Sequence, residues 1–213
     1  GLYWKIYFPN LCKSNGESHF QIIGINLKFF IMKIKNIILI TSVLVTVLII
    51  CCAFKLNDYY KTKVMVELAR HQKEGGEIPS SLSMYDNLEK YSDEYDIPKY
   101  IAYNIAYLET RYQGPFDWDY KPNRTSSAGA VGPMQVMPKT ANGIHKKYVS
   151  VKTLKNDIEF NVETSMILLN NLHKKYKDWG IVCGYYNTGY PQINGYAEYC
   201  VTNKDYKKNW LEY

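Results

Sequence analysis

The chain has 213 residues, of which 46% are hydrophobic and 22% charged, and this globular composition excludes wholesale disorder. The formal net charge is +6, but residues 1–83 hold 10 Lys and Arg against 5 Asp and Glu, whereas residues 84–213 hold 16 against 15. Nucleic-acid surfaces need clustered basic residues, so the near-neutral C-terminal part argues against nucleic acid as a partner. Five cysteines are too few for a disulfide-dense scaffold.

A run of 18 uncharged residues, 37–54, has about the minimum length of a membrane-spanning helix. Lys33 and Lys35 precede it, and the positive-inside tendency keeps that end in the cytoplasm and sends the C-terminal part across the membrane. The sequence favours an uncleaved anchor over a removed signal peptide, and it disfavours a buried core helix because the run has no polar face. An export segment typically begins as the chain does at Met32, so we interpret residues 1–31 as a non-native or upstream extension.

Helical periodicity dominates the rest of the chain, and no stretch alternates at period two, so we expect an all-α domain. We predict helices over residues 84–95, 98–111, 157–177 and 179–186, with another after Pro138. The predicted organisation is an extension, an anchor, a tether and one C-terminal domain, at residues 1–31, 32–54, 55–83 and 84–213.

Glu109 is the first candidate for chemistry. It follows the apolar positions Ile101, Ile105 and Leu108 of a predicted helix, so it lies at the edge of the buried stripe, either half-buried or at the lip of a cleft. A carboxyl group in such a desolvated setting has a raised pKa, which a proton donor needs at neutral pH. In isolation this residue reads as a surface glutamate, and only its sequence context favours a catalytic role.

That context consists of four ordered motifs. They are Glu109-Thr110, the run SSAGAVGPMQVMPKTA at residues 126–141, Asn161-Val162, and YNTG at residues 186–189. Together they resemble the soluble lytic transglycosylase family, which cleaves peptidoglycan and has a lysozyme-like fold, and the resemblance covers residues 84–201.

The chain also departs from the family pattern. Thr110 replaces a serine but keeps a hydroxyl, Pro133 replaces a leucine, and Tyr185 replaces a small residue. Glu198 stands in Glu-Tyr-Cys-Val where the family often has a Glu-Thr-Arg before its last Tyr-Val, which leaves a role for Glu198 in doubt.

The resemblance implies that Glu109 acts as the sole acid and base, cleaving the β-1,4 bond between N-acetylmuramic acid and N-acetylglucosamine with formation of a 1,6-anhydro ring. No cofactor and no metal ion are implied. The partner is the peptidoglycan glycan strand, the membrane is reached through residues 37–54, and the domain acts on the extracytoplasmic side of the cell envelope. Met134 would line the sugar sites by apolar contact, Gln135 by hydrogen bonds, and Tyr186 would hold Glu109 or the N-acetyl group. The full set of implied substrate-binding residues is Ser126, Gly132, Met134, Gln135, Tyr186 and Asn187.

Several alternatives stay open. A hydrolytic lysozyme would need Asp117 or Asp119 to orient water. A catalytically inactive, glycan-binding envelope scaffold would use the same groove. Cys183 and Cys200 pair as a disulfide in one interpretation of an exported domain. Wall turnover, a secretion or conjugation channel and phage entry are all compatible roles, although one short domain on an anchor is typical of local cleavage beside a larger machine.

Overall fold

The computed structural model describes residues 16–208 and 210 of the chain. Two units divide the chain, residues 1–62 and residues 63–213. Among the described residues every regular element is a helix, and two isolated β-bridges link Val131 to Thr125 and Val136. The all-α prediction is therefore confirmed for this part of the chain. The helices are α1 (Gly16–Lys73), α2 (Ser80–Glu94), α3 (Lys99–Thr110), α4 (Pro138–His145), α5 (Val151–Asn156), α6 (Ile158–Tyr176), α7 (Trp179–Thr188) and α8 (Gly195–Thr202).

The apolar N-terminal run lies inside α1. Ile31–Cys52 is a candidate membrane span of 22 residues with a mean hydropathy of 2.4, and none of it is buried. Ile37 and Leu48 are 59% and 64% exposed, so this stretch is not a core helix, which leaves a membrane span or a signal sequence. Of the predicted upstream extension, residues 1–15 lie outside the described residues and residues 16–31 are helical.

The second unit contains the predicted helices with small changes at their ends. The bounds of α3, α6 and α7 differ from the prediction by two residues or fewer, and α4 begins at Pro138 as expected. The first predicted helix, α2, starts four residues early, at Ser80, because Pro79 takes the N-cap position and Leu82 is fully buried. The sequence does not predict α5 or α8, since 6 and 8 residues are too few to show helical periodicity.

The core is built around α6. Four helices pack on it, α2, α4, α5 and α7. Val162, Met166 and Leu169 on its apolar stripe are fully buried, and Leu172 is nearly so. Asp157 caps its first turn by accepting a hydrogen bond from the backbone N–H of Phe160, a contact typically worth about 1 kcal/mol.

A second packing group joins α3, α7 and α8. The last helix packs on both of the others. Ile101 and Ile105 of α3 are fully buried, as are Cys183 of α7 and Cys200 of α8. The C-terminal turn of α3 ends at Arg111, whose φ of 63° stops the helix and turns the chain into the loop before α4. This arrangement brings the end of α3 to the start of α8.

Gly184→Ala tests how closely α7 approaches the segment before α8. A Cβ at this position meets the backbone carbonyl of Gln192, which cannot swing aside, so the free energy of unfolding should fall by about 1–3 kcal/mol. Gly143→Ala on α4 is the matched control, because its Cβ meets no atom within 4 Å and alanine favours a helix over glycine by about 0.5–1 kcal/mol. Thermal unfolding followed by circular dichroism measures both, and equal melting temperatures would contradict the close approach.

Candidate active site

Glu109 lies in the last turn of α3, where the buried stripe of that helix ends. Ile101 and Ile105 are fully buried, whereas Leu108 and Glu109 are only half-buried. The carboxylate therefore lies at the boundary between the core and solvent, the position that the apolar stripe predicts.

The phenol of Tyr196 donates a hydrogen bond of 2.6 Å to the carboxylate of Glu109. Such a short distance is typical of a bond to a charged acceptor. Tyr196 lies in the first turn of α8, which Asn194 caps through the backbone N–H of Ala197. Sequence analysis missed Tyr196, although Asn194 as a capping residue, followed by the apolar Ala197 and Cys200, is a weak signal for a short helix.

Two opposing effects set the protonation of Glu109. Burial raises the pKa of the carboxyl group above its ordinary value, and the weaker effect of the hydrogen bond from Tyr196 lowers it. The phenols of Tyr186 and Tyr196 have raised pKa values, first through their own burial and then through the charge of Glu109. Both phenols therefore stay protonated and lie within electrostatic reach of the carboxylate.

The loop of residues 124–136 is held along its length by its own hydrogen bonds. The Ser126 hydroxyl accepts from the backbone N–H of Ala130 at 3.0 Å, and the Ser126 N–H donates to the Ala130 carbonyl at 2.9 Å. Val131 and Val136 exchange two backbone hydrogen bonds of 3.0 Å. The loop thus presents its backbone in a fixed shape.

Three residues of this loop, Gly129, Gly132 and Gln135, have left-handed backbone conformations. Gly132 has a φ of 82°, and a Cβ there would collide with the Leu154 carbonyl oxygen and the Asn161 amide, so only glycine fits. Gln135 has a φ of 49°. Its side-chain amide donates to the Gly132 carbonyl at 2.8 Å and to the Arg124 carbonyl at 3.3 Å, which leaves the side-chain oxygen for a ligand.

The fully buried side chain of Asn161 attaches the loop to α6. It donates to the carbonyls of Val131 and Leu154 at 2.9 Å and 2.8 Å, and accepts from the backbone N–H of Met134 at 3.0 Å. Each of these buried backbone groups would cost about 1–3 kcal/mol if left without a partner. Asn161 is therefore a positioning residue for the loop.

Thr110 ties the same loop to the end of α3. Its buried hydroxyl donates to the Pro133 carbonyl at 2.8 Å and lies 2.8 Å from the hydroxyl of Tyr120. The hydroxyl that replaces the family's serine hydroxyl thus fixes the loop directly beside Glu109.

The structure corrects the role predicted for Met134 and one of the two alternatives for Tyr186, whose contact with a sugar N-acetyl group stays a prediction. The side chain of Met134 is fully buried, so it belongs to the core and does not line an open sugar site by apolar contact. Its carbonyl accepts a hydrogen bond of 2.6 Å from the Tyr186 hydroxyl, which also lies 3.2 Å from the Ser165 hydroxyl. Tyr196, and not Tyr186, holds Glu109. Tyr186 instead connects α7 to the loop next to the carboxylate.

Ser126 and Asn187 are exposed, and neither hydrogen-bonds to Glu109 in the described contacts. Asn187 accepts a hydrogen bond of 3.2 Å from Asn194, which joins the end of α7 to the cap of α8. Glu198 is also exposed. Asn187 thus connects the end of α7 to the cap of α8, and its predicted contact with substrate stays a prediction.

Asp117 and Asp119 lie in a different electrostatic environment from Glu109. Asp119 is exposed, whereas Asp117 is nearly buried, and burial raises the pKa of Asp117. The charge of Asp117 raises the pKa values of Tyr112 and Tyr120, each of which is raised mainly by burial. The charge of Glu109 instead raises the pKa values of a different pair, Tyr186 and Tyr196.

Cys183 and Cys200 are buried free thiols on α7 and α8. A hydrogen bond with Cys183 that favours the protonated thiol, together with burial, raises the pKa of Cys200 and makes it a poor nucleophile at neutral pH. Their pairing as a disulfide stays a prediction. No group of three or more His, Cys, Asp or Glu suited to a metal ion occurs among the described residues.

Comparison with known families gives one match, over residues 86–209, to the family described as Transglycosylase SLT domain. It confirms the family resemblance and, with the helical architecture, the lysozyme-like fold class. A search of curated proteins gives no match.

Part of the chain is similar to solved structures, among them two lytic transglycosylases. An inactive mutant of the lytic transglycosylase Slt from Pseudomonas aeruginosa is 21% identical, with a TM-score of 0.40, over 49% of this chain and 16% of its own. The 70-kDa soluble lytic transglycosylase, in complex with bulgecin A, is 26% identical, with a TM-score of 0.41, over 55% of this chain and 18% of its own. The match thus spans less than a fifth of the length of these proteins.

Tyr196→Phe should raise the pKa of Glu109 further. The substitution removes the one hydrogen bond that lowers this pKa and leaves the burial that raises it. Carbon NMR of the full chain with labelled glutamate carboxyls, assigned with Glu109→Gln, measures the titration midpoint. Tyr148→Phe is the matched control because Tyr148 is 82% exposed. A midpoint that is the same in both variants would show that Tyr196 does not act on the carboxylate.

Glu109→Gln should stabilise the fold at neutral pH. Because the folded pKa lies above the ordinary value of 4.5, the wild type loses stability as the pH rises from below 4.5 through the folded pKa, and it stays less stable above. The neutral amide carries no such cost, so the two proteins should converge only at acid pH. Urea unfolding across this range measures the difference, with the exposed Glu198→Gln as control. A wild type as stable as Glu109→Gln at neutral pH would contradict the desolvation of the carboxylate.

Proposed function

The chain belongs to the family of transglycosylase SLT domains, and from this premise we propose that it cleaves peptidoglycan glycan strands as a lytic transglycosylase. The bond is the β-1,4 link between N-acetylmuramic acid and N-acetylglucosamine, and Glu109 is the sole acid and base. The observation that carries the proposal is one half-buried carboxyl group with a raised pKa, held by Tyr196 beside a fixed glycine-rich loop.

In the first step Glu109 donates its proton to the glycosidic oxygen. The leaving sugar oxygen is a poor leaving group unless it is protonated as the bond to the anomeric carbon breaks. Burial favours the neutral carboxylic acid, which makes Glu109 a better proton donor at neutral pH than a solvated glutamate. The N-acetyl group of the sugar stabilises the positive charge that develops at the anomeric carbon.

In the second step the ionised Glu109 takes the proton from the C6 hydroxyl of the same sugar. The C6 oxygen bonds to the anomeric carbon, the 1,6-anhydro ring closes, and the carboxylic acid is regenerated without consumption of water. The hydrogen bond from Tyr196 stabilises the carboxylate between the two steps, so Tyr196 acts as a positioning and tuning residue.

The loop and α7 supply the sugar-binding groups in this proposal. Gly132 lets the loop pack closely against Leu154 and Asn161 because no side chain fits there, and Gln135 offers its side-chain oxygen. Ser126 of the loop and Asn187 of α7 are exposed. The Tyr186 hydroxyl connects α7 to the loop through the Met134 carbonyl.

The separate setting of Asp117 supports lytic over hydrolytic cleavage. A hydrolase needs a second carboxylate to orient water near the acid. The charge of Asp117 acts on Tyr112 and Tyr120, while that of Glu109 acts on Tyr186 and Tyr196. This distribution of charge fits a mechanism that uses the Glu109 carboxylate twice better than one that uses Glu109 together with Asp117.

The proposed location follows from the substrate, which lies in the cell envelope. We assign Ile31–Cys52 as the membrane anchor, with the domain on the extracytoplasmic side where peptidoglycan is found. Lys33 and Lys35 before the apolar run agree with this orientation.

Digestion of purified sacculi by the full chain tests the reaction. We expect soluble muropeptides with 1,6-anhydro ends, each lighter by one water than a hydrolytic product, when the digest is analysed by mass spectrometry. Glu109→Gln should lower the rate by about 10²–10⁴-fold, the usual contribution of a general acid. Asp117→Asn should keep the activity and the anhydro ends.

Three results would overturn the proposal. Products with reducing ends that disappear in Asp117→Asn would establish the hydrolytic lysozyme. No soluble product from the wild type would establish the inactive, glycan-binding scaffold. An undiminished rate in Glu109→Gln would show that Glu109 is not the general acid.

A further inference from the structure

A cavity of about 180 Å³ lies outside the candidate active site, between α3, α8 and the C-terminal segment. We call it the aromatic pocket. None of its lining residues belongs to the site built around Glu109. Its walls include Tyr103, Tyr107, Tyr199, Asn203, Tyr206 and Trp210.

Helix geometry separates the aromatic pocket from the catalytic carboxylate. Tyr103 and Tyr107 are one turn apart on α3 and both line the pocket. Glu109 follows Tyr107 by two residues, which places it about 200° further around the helix axis. The two sites therefore lie on different faces of the same helix.

Stacking holds the aromatic walls in place. The ring of Tyr103 stacks on that of Tyr206, with centroids 4.8 Å apart, and the ring of Tyr107 stacks on that of Tyr199 at 5.9 Å. Trp210 packs at 5.2 Å from Tyr103. Tyr103 and Trp210 are buried, whereas Tyr107, Tyr199 and Tyr206 keep part of their surface exposed. Fixed and partly exposed aromatic rings are suited to contact with a flat apolar ligand face.

An amide network fixes the polar side of the aromatic pocket. Asn104 is fully buried and donates to the carbonyls of Cys200 and Asn203 at 2.9 Å and 2.7 Å. The Asn203 side chain donates to the Asn104 side-chain oxygen at 2.8 Å and to the Tyr199 hydroxyl at 3.2 Å. Both N–H groups of Asn203 are thus engaged within the protein, and its side-chain oxygen is left to accept from a hydroxyl of a ligand.

Charge and size narrow the class of ligand. The lining contains one exposed charge of each sign, Asp205 and Lys208, while the cations Arg111 and Lys207 lie over the rings of the wall and are engaged with them. The exposed carboxylate of Asp205 in the lining disfavours a nucleotide or another anion. A volume of about 180 Å³ is smaller than the ~300–1,000 Å³ of drug-sized sites, so it suits one six-membered ring with its substituents. A pyranose has an apolar C–H face and hydroxyl groups at its edge, which match the rings and the amide.

We propose that the aromatic pocket binds one neutral pyranose unit of a glycan strand, at a site separate from the bond that is cleaved. The identification of that strand as peptidoglycan rests on the proposed function. A second point of attachment keeps the domain on the strand between cleavage events, because release then requires both sites to open.

Fluorine NMR of Trp210 provides a direct readout of the aromatic pocket. The sequence contains four tryptophans, so the full chain in detergent micelles, labelled with fluorotryptophan, gives few resonances, and Trp210→Phe assigns the one in question. The probe is tri-N-acetylchitotriose, a neutral β-linked trimer of N-acetylglucosamine, and a Glu109→Gln background keeps it uncleaved. We expect a saturable shift of the Trp210 resonance. An unchanged resonance up to the solubility limit of the trimer would overturn the proposal.

Variants that remove a flat ring but keep its bulk test the contacts. Tyr107→Leu and Tyr199→Leu should raise the apparent Kd read at Trp210 by about tenfold or more. Tyr148→Leu is the matched control, since Tyr148 is 82% exposed and does not line the pocket. Asp205→Ala, an exposed substitution with little effect on folding, should weaken binding in the same direction. Equal Kd values in the control and in all three pocket variants would contradict the proposal.

The outcome is separable from that of the proposed function. A saturable Trp210 shift supports the aromatic pocket even if the wild type releases no anhydro product from sacculi, which would overturn the proposed reaction alone. Anhydro products together with an unchanged Trp210 resonance would overturn the pocket and leave the reaction in place.

Discussion

The buried amide of Asn161 is the contact on which the site depends most. Three backbone groups are buried against α6: the N–H of Met134 and the carbonyl of Val131 in the 124–136 loop, and the carbonyl of Leu154 in α5. Asn161 pairs with all three, and the absence of a side chain at Gly132 lets the loop approach closely enough for it to do so. Thr110 fixes the other side of the loop to α3 through the Pro133 carbonyl. The loop is thereby held beside Glu109 from two helices that are distant in sequence.

The chemistry that we propose for Glu109 depends on a balance that the fold sets. Full burial with no partner would keep the carboxyl group protonated throughout and useless as a base, while full exposure would leave it ionised and useless as an acid. Half-burial at the end of an apolar stripe, opposed by one hydrogen bond from Tyr196, lies between these limits. A single group that must first give and then take a proton needs this intermediate setting.

The sequence allowed the helical fold and the position of Glu109 to be predicted because both follow from local pattern. The stripe of Ile101 and Ile105, and the long amphipathic α6, show clear helical periodicity. Tyr196 was missed because its helix is short and its contact with Glu109 joins residues 87 positions apart. Met134 was assigned to a sugar site by its motif, but burial is a property of the packed fold, and it is the backbone of Met134 that connects the loop to α7.

The pairing of α3 with α8 explains how one pair of helices serves two sites. Contacts follow one another along it in antiparallel order, from Glu109 with Tyr196, through Tyr107 with Tyr199, to Asn104 with Asn203. The first contact lies where burial raises the pKa of an acid, and the later ones lie where stacked rings stay partly exposed. The proposed acid needs desolvation and the proposed sugar-binding rings need access, and different faces of α3 meet these two demands.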